Sequence, residues 1–399
     1  MLRLNPSFTM ATTLSPGQFT VNPAHRHQLA PLQVPERLLL GPGPSNADPR
    51  VISAMNHQPI GHLDPAYLAM MDEVQDLLRY AWQTENALTY AIAGTGSAAM
   101  EATLANAIEL GNRVLVAVNG YFGHRLVDMA TRYGAEVQTL HKTWGEAFSL
   151  EELTQALAQH QPAMLAVVHA ETSTGVRQPL EGVGAACAAQ DCLLIVDTVT
   201  SLGGVPIGLD DWQVDLAYSC SQKGLSCAPG ISPFTMSPRA VAKLERRQQP
   251  VANWYLDAAL LRKYWGPERV YHHTAPVNLT YALREALRLL AEEGLEARWQ
   301  RHQQTAAYFW EGLGDLGLTC HVAEEFRLPT LTTVRVPEGI DAKAFSRTLL
   351  TDYNIEIGGG LGELAGQVWR VGLMGHNSRK ENVDTLLQAM GSVLAQLRR

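Results

Sequence analysis

A mostly parallel α/β sheet followed by a smaller α+β domain is the fold class this sequence predicts, and three observations predict it. Apolar runs of three to six residues alternate with helical patterns between Leu88 and Tyr218, the rhythm of strand-helix-strand units with helices on both sheet faces. Two of those runs, Cys192-Leu193-Leu194-Ile195-Val196-Asp197 and Leu216-Ala217-Tyr218, are almost wholly apolar, so their strands are expected to be buried on both faces. From about Val277 the alternation gives way to long alanine- and leucine-rich helices with scattered strands, which reads as a second domain. The divisions expected are an arm at 1–35, a large domain at 36–293 and a small one at 294–399.

The first 35 residues hold no acid and only Arg3 and Arg26 as basic side chains, a weakly transit-like composition better read as an extended arm. Leu38-Leu39-Leu40 then runs into Gly41-Pro42-Gly43-Pro44-Ser45-Asn46, a rigid irregular loop of the kind that brings backbone close to a ligand. Asp64-Pro65 gives a helix cap and first position. The helix continues to Trp82 with Leu68, Met71, Val74, Leu77, Leu78 and Ala81 on one face. Residues 88–93 read as a strand, Gly94-Thr95-Gly96-Ser97 as a turn, and 98–106 as a helix. Further helices are expected at 121–133, 149–159 with Ser149 and Glu152 as a capping box, and 180–190. A helix is expected at 279–292, and the last domain should hold helices at 295–316, 342–352 and 379–398 around strands at 331–336 and 368–373.

Composition narrows the function. The 399 residues carry 31 Lys+Arg against 39 Asp+Glu, a net charge of −8, which gives no electrostatic reason to expect nucleic acid or an acidic membrane as partner. No apolar run approaches the length of a membrane span. Five cysteines, Cys187, Cys192, Cys220, Cys227 and Cys320, are odd in number and lack CxxC spacing, so neither a disulfide framework nor a zinc site is expected and a reducing, cytoplasmic setting is the simplest. The histidines include His272-His273 but form no HExxH pattern, and no metal is expected.

The chemistry gathers at two strand ends. In open parallel sheets ligands sit beyond the carboxyl ends of the strands, where Asp197 and Lys223 would face one crevice. A lysine and a carboxylate so placed suit pyridoxal phosphate, which needs an amine for its aldehyde and an anion at its ring nitrogen. Burial lowers a lysine's pKa, each unit being worth ~1.4 kcal/mol between the two protonation states. Taken singly, Asp197 also reads as a strand-end cap and Lys223 as a surface charge. The Gly94–Ser97 turn opening a helix reads as a phosphate site, a GxGxxA dinucleotide fingerprint or a plain tight turn. Against the dinucleotide reading, the next strand ends at Asn119-Gly120 rather than at an acid. Arg370, between Trp369 and Val371, is either outward and solvated or inward and paired, and an inward arginine suits a substrate carboxylate.

Taken together, Leu39–Asn46, Gly94–Ser97, Glu171-Thr172-Ser173-Thr174-Gly175, Val196-Asp197, Ser221-Gln222-Lys223 and Tyr271-His272-His273-Thr274 resemble the class V, pyridoxal-phosphate-dependent aminotransferases, in the alanine-glyoxylate and serine-pyruvate branch. The resemblance covers Pro35 to the C-terminus. It implies the aspartate-aminotransferase-like fold type I, with Lys223 holding the cofactor as a Schiff base and then moving the substrate's alpha proton. Asp197 would pair with the ring nitrogen, Phe122 would stack on the ring where animal members carry tryptophan, and Val199 would press its other face. Thr172 would lie near the ring hydroxyl or the substrate. Thr95, Gly96, Ser97 and Gln222 would hold the phosphate, completed by Tyr271 and Thr274 of a neighbouring subunit in a homodimer. Arg370 would bind the substrate carboxylate, with the Gly43 backbone beside it.

The activity so implied is ping-pong transfer of the amino group of alanine or serine to glyoxylate or pyruvate. No second arginine motif for a side-chain carboxylate is apparent, which disfavours aspartate or glutamate as donor. Alternatives are another class V chemistry (phosphoserine transaminase, cysteine desulfurase or kynureninase) and a catalytically silent binding protein. A desulfurase needs a mobile nucleophilic cysteine, whereas Cys320 lies in the apolar stretch Leu318–Val322.

Overall fold

The computed structural model describes residues 24, 26–27 and 29–398; most of the expected arm lies outside them. From Arg37 onward the chain forms one unit. Its main sheet has seven strands: β1 (Leu88–Ala93), β2 (Arg113–Val118), β3 (Glu136–His141), β4 (Met164–Val168), β5 (Leu193–Asp197), β6 (Leu216–Tyr218) and β7 (Ile231–Met236). Their order is β1-β7-β6-β5-β4-β2-β3. All neighbours are parallel except β7, which runs antiparallel to both β1 and β6. β4 and β5 are buried at every position, as their uninterrupted apolar sequence requires.

The helices of this part are α1 (Pro65–Trp82), α2 (Gly96–Ala107), α3 (Tyr121–Arg132), α4 (Leu150–His160) and α5 (Val183–Ala188), joined by three that the site does not use. Asp64 caps α1 by accepting from Ala66 N, with Pro65 in first position, and Ser149 with Glu152 forms the expected reciprocal capping box on α4. The helix expected at 180–190 is shorter than its pattern suggested. It begins only at Val183, after Gly182 at φ +81, outside the helical region, and its first turn packs against backbone, where a Cβ on Gly184 would strike Trp212 O.

α6 (Val277–Glu293) and α7 (Leu295–Asp315) meet at Gly294, and beyond them lie β8 (Leu331–Arg335), α8 (Ala342–Tyr353), β9 (Gly358–Gly359), β10 (Val368–Gly372) and α9 (Lys380–Leu397). β10 is central in an antiparallel three-stranded sheet between β8 and β9. A separate hydrophobic cluster holds this region together, with Phe345 stacked on Trp369 at 4.0 Å and Val371, Leu386 and Met390 around them. Leu40 belongs to that cluster, and Leu38–Leu39 pairs with Ile355–Glu356. The glycine-proline loop is thereby anchored to C-terminal elements at its start. Among the described residues no helix is long and apolar enough to cross a membrane.

Candidate active site

Five segments that follow five strands line one cavity of about 230 Å³. After β1 come Thr95, Gly96 and Ser97; after β2, Phe122 and Arg125 on α3; after β4, Thr172; after β5, Asp197 and Val199; after β6, Gln222 and Lys223. This is the carboxyl end of a parallel sheet, where free loops converge because the helices pack on the faces.

Asp197 closes β5 opposite Val168 on one side and Tyr218 on the other. The Tyr218 hydroxyl donates to Oδ2 at 2.6 Å and Val199 N–H to Oδ1 at 2.8 Å. Burial pushes its pKa up to about 6, with those hydrogen bonds and the charge of Lys223 pulling the other way. Lys223 is 9% exposed. Burial lowers its pKa, and the nearby Arg370 charge adds to that. Its ammonium donates to the Pro42 carbonyl.

The glycine-proline loop fixes this lysine. Ser45 N–H donates to Gln222 O at 3.0 Å and Ser45 Oγ to Lys223 O at 3.0 Å. Gly43 has φ +102, and a Cβ there would fall 2.6 Å from Lys223 Cδ and 2.8 Å from Nζ. Only glycine lets this backbone lie against the amine.

At the start of α2, Thr95 gives no side-chain cap, so the first N–H groups of the helix remain free toward the cavity. Gly96 lies so near β6's end that a Cβ would meet Cys220 Cβ at 3.0 Å. Gln222 Oε1 is buried without a partner among the described residues. Phe122 presents its ring from α3, and Thr172 Oγ1 pairs with Thr200 Oγ1 at 2.5 Å.

Arg370 and the 271–274 segment do not line this cavity. Arg370 points inward from β10, 7% exposed, with Nε donating to Gly359 O at 2.7 Å and Nη1 reaching the Thr172 carbonyl at 3.5 Å. Burial lowers its pKa to about 10 and Glu171 partly offsets that. Tyr271 is 57% exposed beside His62, and the neighbouring His272 stacks on Trp254 at 4.4 Å.

Two residues matter here that the sequence reading did not assign. Arg125 lines the cavity, three residues from Phe122 on the same helix face. Glu171 is fully buried; its Oε2 accepts from Phe122 N–H and Gly123 N–H at 3.2 and 3.3 Å, and its Oε1 from Ser173 Oγ at 2.6 Å. With Gly120 as N-cap, α3 has no side-chain cap of its own, and Glu171 supplies one from outside. Burial pushes its pKa up to about 7. A helical i, i+3 count from Phe122 would have found Arg125; nothing local marks Glu171 as buried.

Cys220 is buried and its pKa is raised to about 12 by desolvation; burial also raises that of Cys320.

This arrangement of a buried amine, a buried carboxylate and a free helix N-terminus can be set beside known proteins. The class-V aminotransferase profile matches residues 37–386. An alanine-glyoxylate aminotransferase of Mus musculus is 45% identical over 368 residues, covering 91% of this chain and 89% of its own. The crystal structure of an alanine-glyoxylate aminotransferase from Nostoc sp. superposes with a TM-score of 0.94 at 69% identity, covering 94% of this chain and all of that one. A ureidoglycine-glyoxylate aminotransferase from Bacillus subtilis gives a TM-score of 0.91 at 39% identity, covering 93% and 96%. The chain belongs to the class-V aminotransferases. Its architecture is the aspartate-aminotransferase-like fold type I, and it is an enzyme of amino-group transfer.

Proposed function

We propose that the chain is a pyridoxal-phosphate-dependent transaminase that moves the amino group of alanine or serine to glyoxylate or pyruvate. The observation that carries the reading is that Lys223 and Asp197, from different strand ends, line one cavity with the open N-terminus of α2. The residues fit the cofactor. Asp197 is a buried carboxylate hydrogen-bonded only by neutral donors, so a cationic ring nitrogen beside it would relieve the burial that raises its pKa. Gln222 Oε1 lacks a partner, and the close approach of Gly96 to Cys220 leaves room only for backbone at the α2 turn.

When bound, the cofactor supplies a conjugated sink for the electron pair left at the substrate's alpha carbon. Lys223 is the amine that carries the aldehyde; burial favours its neutral, nucleophilic form. Once free, its Nζ would take the substrate's alpha proton and return it at the other end of the transfer. Asp197 would hold the ring nitrogen protonated, and Phe122, Val199 and Thr172 would hold the ring. Thr95, Gly96, Ser97 and Gln222 bind the phosphate.

Arg370, buried and without a carboxylate partner among the described residues, orients the substrate's carboxylate, with Gly43 backbone beside it. Exposed Trp254, Tyr255, Val270 and Tyr271 support a homodimer in which Tyr271 and Thr274 reach the neighbouring phosphate. Two hydrophobic clusters, the second also taking in Leu38 and Leu40, support large and small domains at 36–293 and 294–399. Five free cysteines suit a cytoplasmic setting.

Alanine alone, mixed with enzyme and no acceptor, should release one equivalent of pyruvate, and glyoxylate should then be consumed in equal amount. Serine and ureidoglycine belong in the same panel, the latter because of the Bacillus subtilis relative. No oxo acid from alanine or serine would defeat the proposal, and oxo acid from ureidoglycine alone would point to the donor named for that relative instead.

A further inference from the structure

We propose that Arg125 binds the cofactor's phosphate, supplying the positive charge that the neutral donors Thr95, Gly96, Ser97 and Gln222 lack. The inference rests on the pyridoxal phosphate reading above. Arg125 lines the cavity, and its Nη1 donates to Ser97 Oγ at 3.2 Å, on the first turn of α2. Its guanidinium carbon lies 4.9 Å from the centroid of the Phe122 ring, so the residue assigned to the cofactor ring also steadies the guanidinium fork.

Arg132, on the same helix, forms an ion pair with Asp128 at 3.1 Å. Among the described residues Arg125 has no such carboxylate. Its charge acts instead on the cavity, where it helps hold down the pKa of Asp197.

Charge balance gives the unpaired guanidinium its use. A phosphate monoester carries about −1.5 to −2 near neutral pH, and a helix N-terminus offers only about half a positive charge. Lys223 is committed to the aldehyde, so Arg125 is the cation beside the α2 turn. Its planar fork matches phosphate oxygens. The competing use, gripping the second carboxylate of a dicarboxylic substrate, fits less well. Substrate binding is assigned to Arg370 against Thr172, whereas Arg125 is tied to Ser97.

The test compares wild type, R125Q and R125K as full-length proteins loaded with either pyridoxal phosphate or pyridoxal, which lacks the phosphate, with affinities read from the absorbance of the lysine-bound chromophore. R125Q should bind pyridoxal phosphate ~10- to 100-fold more weakly, the range for one charge-assisted interaction, and pyridoxal about as wild type does. R125K, keeping the charge without the fork, should fall between. Retained pyridoxal binding also shows that the variants are folded. Equal phosphate preference in all three proteins overturns the assignment, as does an effect confined to the KM of a dicarboxylic oxo acid. If wild type binds neither compound, the cofactor reading itself fails and takes this one with it.

Discussion

Two clusters of buried charge share the turn that carries Lys223, and they are built on opposite plans. On one side Gln222 and Lys223 line the cavity with Asp197 and Arg125. On the other, Leu225 and Ser226 line a cavity of about 380 Å³ with Glu293, Arg298 and Arg301. In the second cluster each charge is answered. Arg298 gives Nη1 to Glu293 at 2.8 Å, Nε to Gly203 O at 2.7 Å and Nη2 to Gly224 O at 2.7 Å. Arg301 binds both oxygens of the same carboxylate, at 2.6 and 3.0 Å, and donates to the carbonyls of Gly375 and Ser378.

His302 completes that cluster as a neutral ring, with Nε2 accepting from Gly375 N–H at 2.9 Å and Nδ1 facing Arg298 O at 2.8 Å. Burial pulls its pKa down to about 3. Two carboxylates, partly buried Glu293 and fully buried Asp197, show the contrast. Burial raises both, but at Glu293 the hydrogen bonds and charges of Arg301 and Arg298 outweigh it and the net shift is downward, whereas at Asp197 burial wins. The charges of the second cluster are paired with one another, whereas Lys223 and Arg125 in the cavity form no ion pair among the described residues.

Breaking the open cluster should be felt in chemistry. Lys223→Ala is expected to lower turnover by ~10⁴-fold, the upper range for a positioned proton-transfer group, and to abolish the absorbance of the lysine-bound cofactor with little change in melting temperature. Turnover within tenfold of wild type would remove Lys223 from its assigned role.

Breaking the closed cluster should be felt in stability. Arg298→Met strands Glu293 beside Arg301 alone and frees the carbonyls of Gly203 and Gly224. Loss of one partner from a buried ion pair costs about 3–5 kcal/mol, and the half-solvated side of Glu293 puts the expectation at the lower end. Denaturant unfolding measures it. A midpoint equal to wild type would show that the network contributes nothing.

Arg370→Gln sits between the plans, since its guanidinium has backbone acceptors and no carboxylate among the described residues. Apparent KM should rise ~10- to 100-fold, with cofactor affinity unchanged. An unaltered KM would mean that its contacts to Gly359 and Thr172 are its whole purpose.

The open cluster was the more legible from sequence, for a physical reason. Asp197 and Lys223 terminate apolar strand-like runs, and such runs announce both burial and the end of the sheet at which the side chains emerge. The closed cluster gave no such signal. Arg298 and Arg301 occupy a helix that reads as an ordinary amphipathic surface, and beyond Glu293 their acceptors are backbone carbonyls distant in sequence, those of Gly203, Gly224, Gly375 and Ser378. β7 escaped for a related reason. Pro233 in Ile231–Met236 argues against an interior strand, yet its carbonyl accepts from Ser219 N–H at 2.9 Å and the strand pairs on both sides. Glu171 and Arg125 were printed inside or beside recognised motifs, but their importance depends on α3 docking against the Glu171–Ser173 turn.

The smallest expected effect separates the two plans by pH. Asp197 has a folded pKa of about 6 against 3.8 for the free group, so the cofactor-free native state holds a proton there that the unfolded chain has released. Its contribution to stability is therefore fully present below pH 3.8 and is lost as pH rises through 6. Buried His169 and His302, with pKa values pulled down to about 3, act in the opposite sense, their contribution being present above pH 6.5 and lost as pH falls toward 3. Those histidines are common to wild type and Asp197→Asn and cancel in the difference. Cofactor-free Asp197→Asn should gain roughly 1 kcal/mol on wild type between pH 5 and 7.5, read from denaturant midpoints at the two values. Loading wild type with cofactor should erase that gain, because a cation beside Asp197 restores its ionised form; a pH-independent difference would mean that its carboxyl is already ionised in the empty cavity.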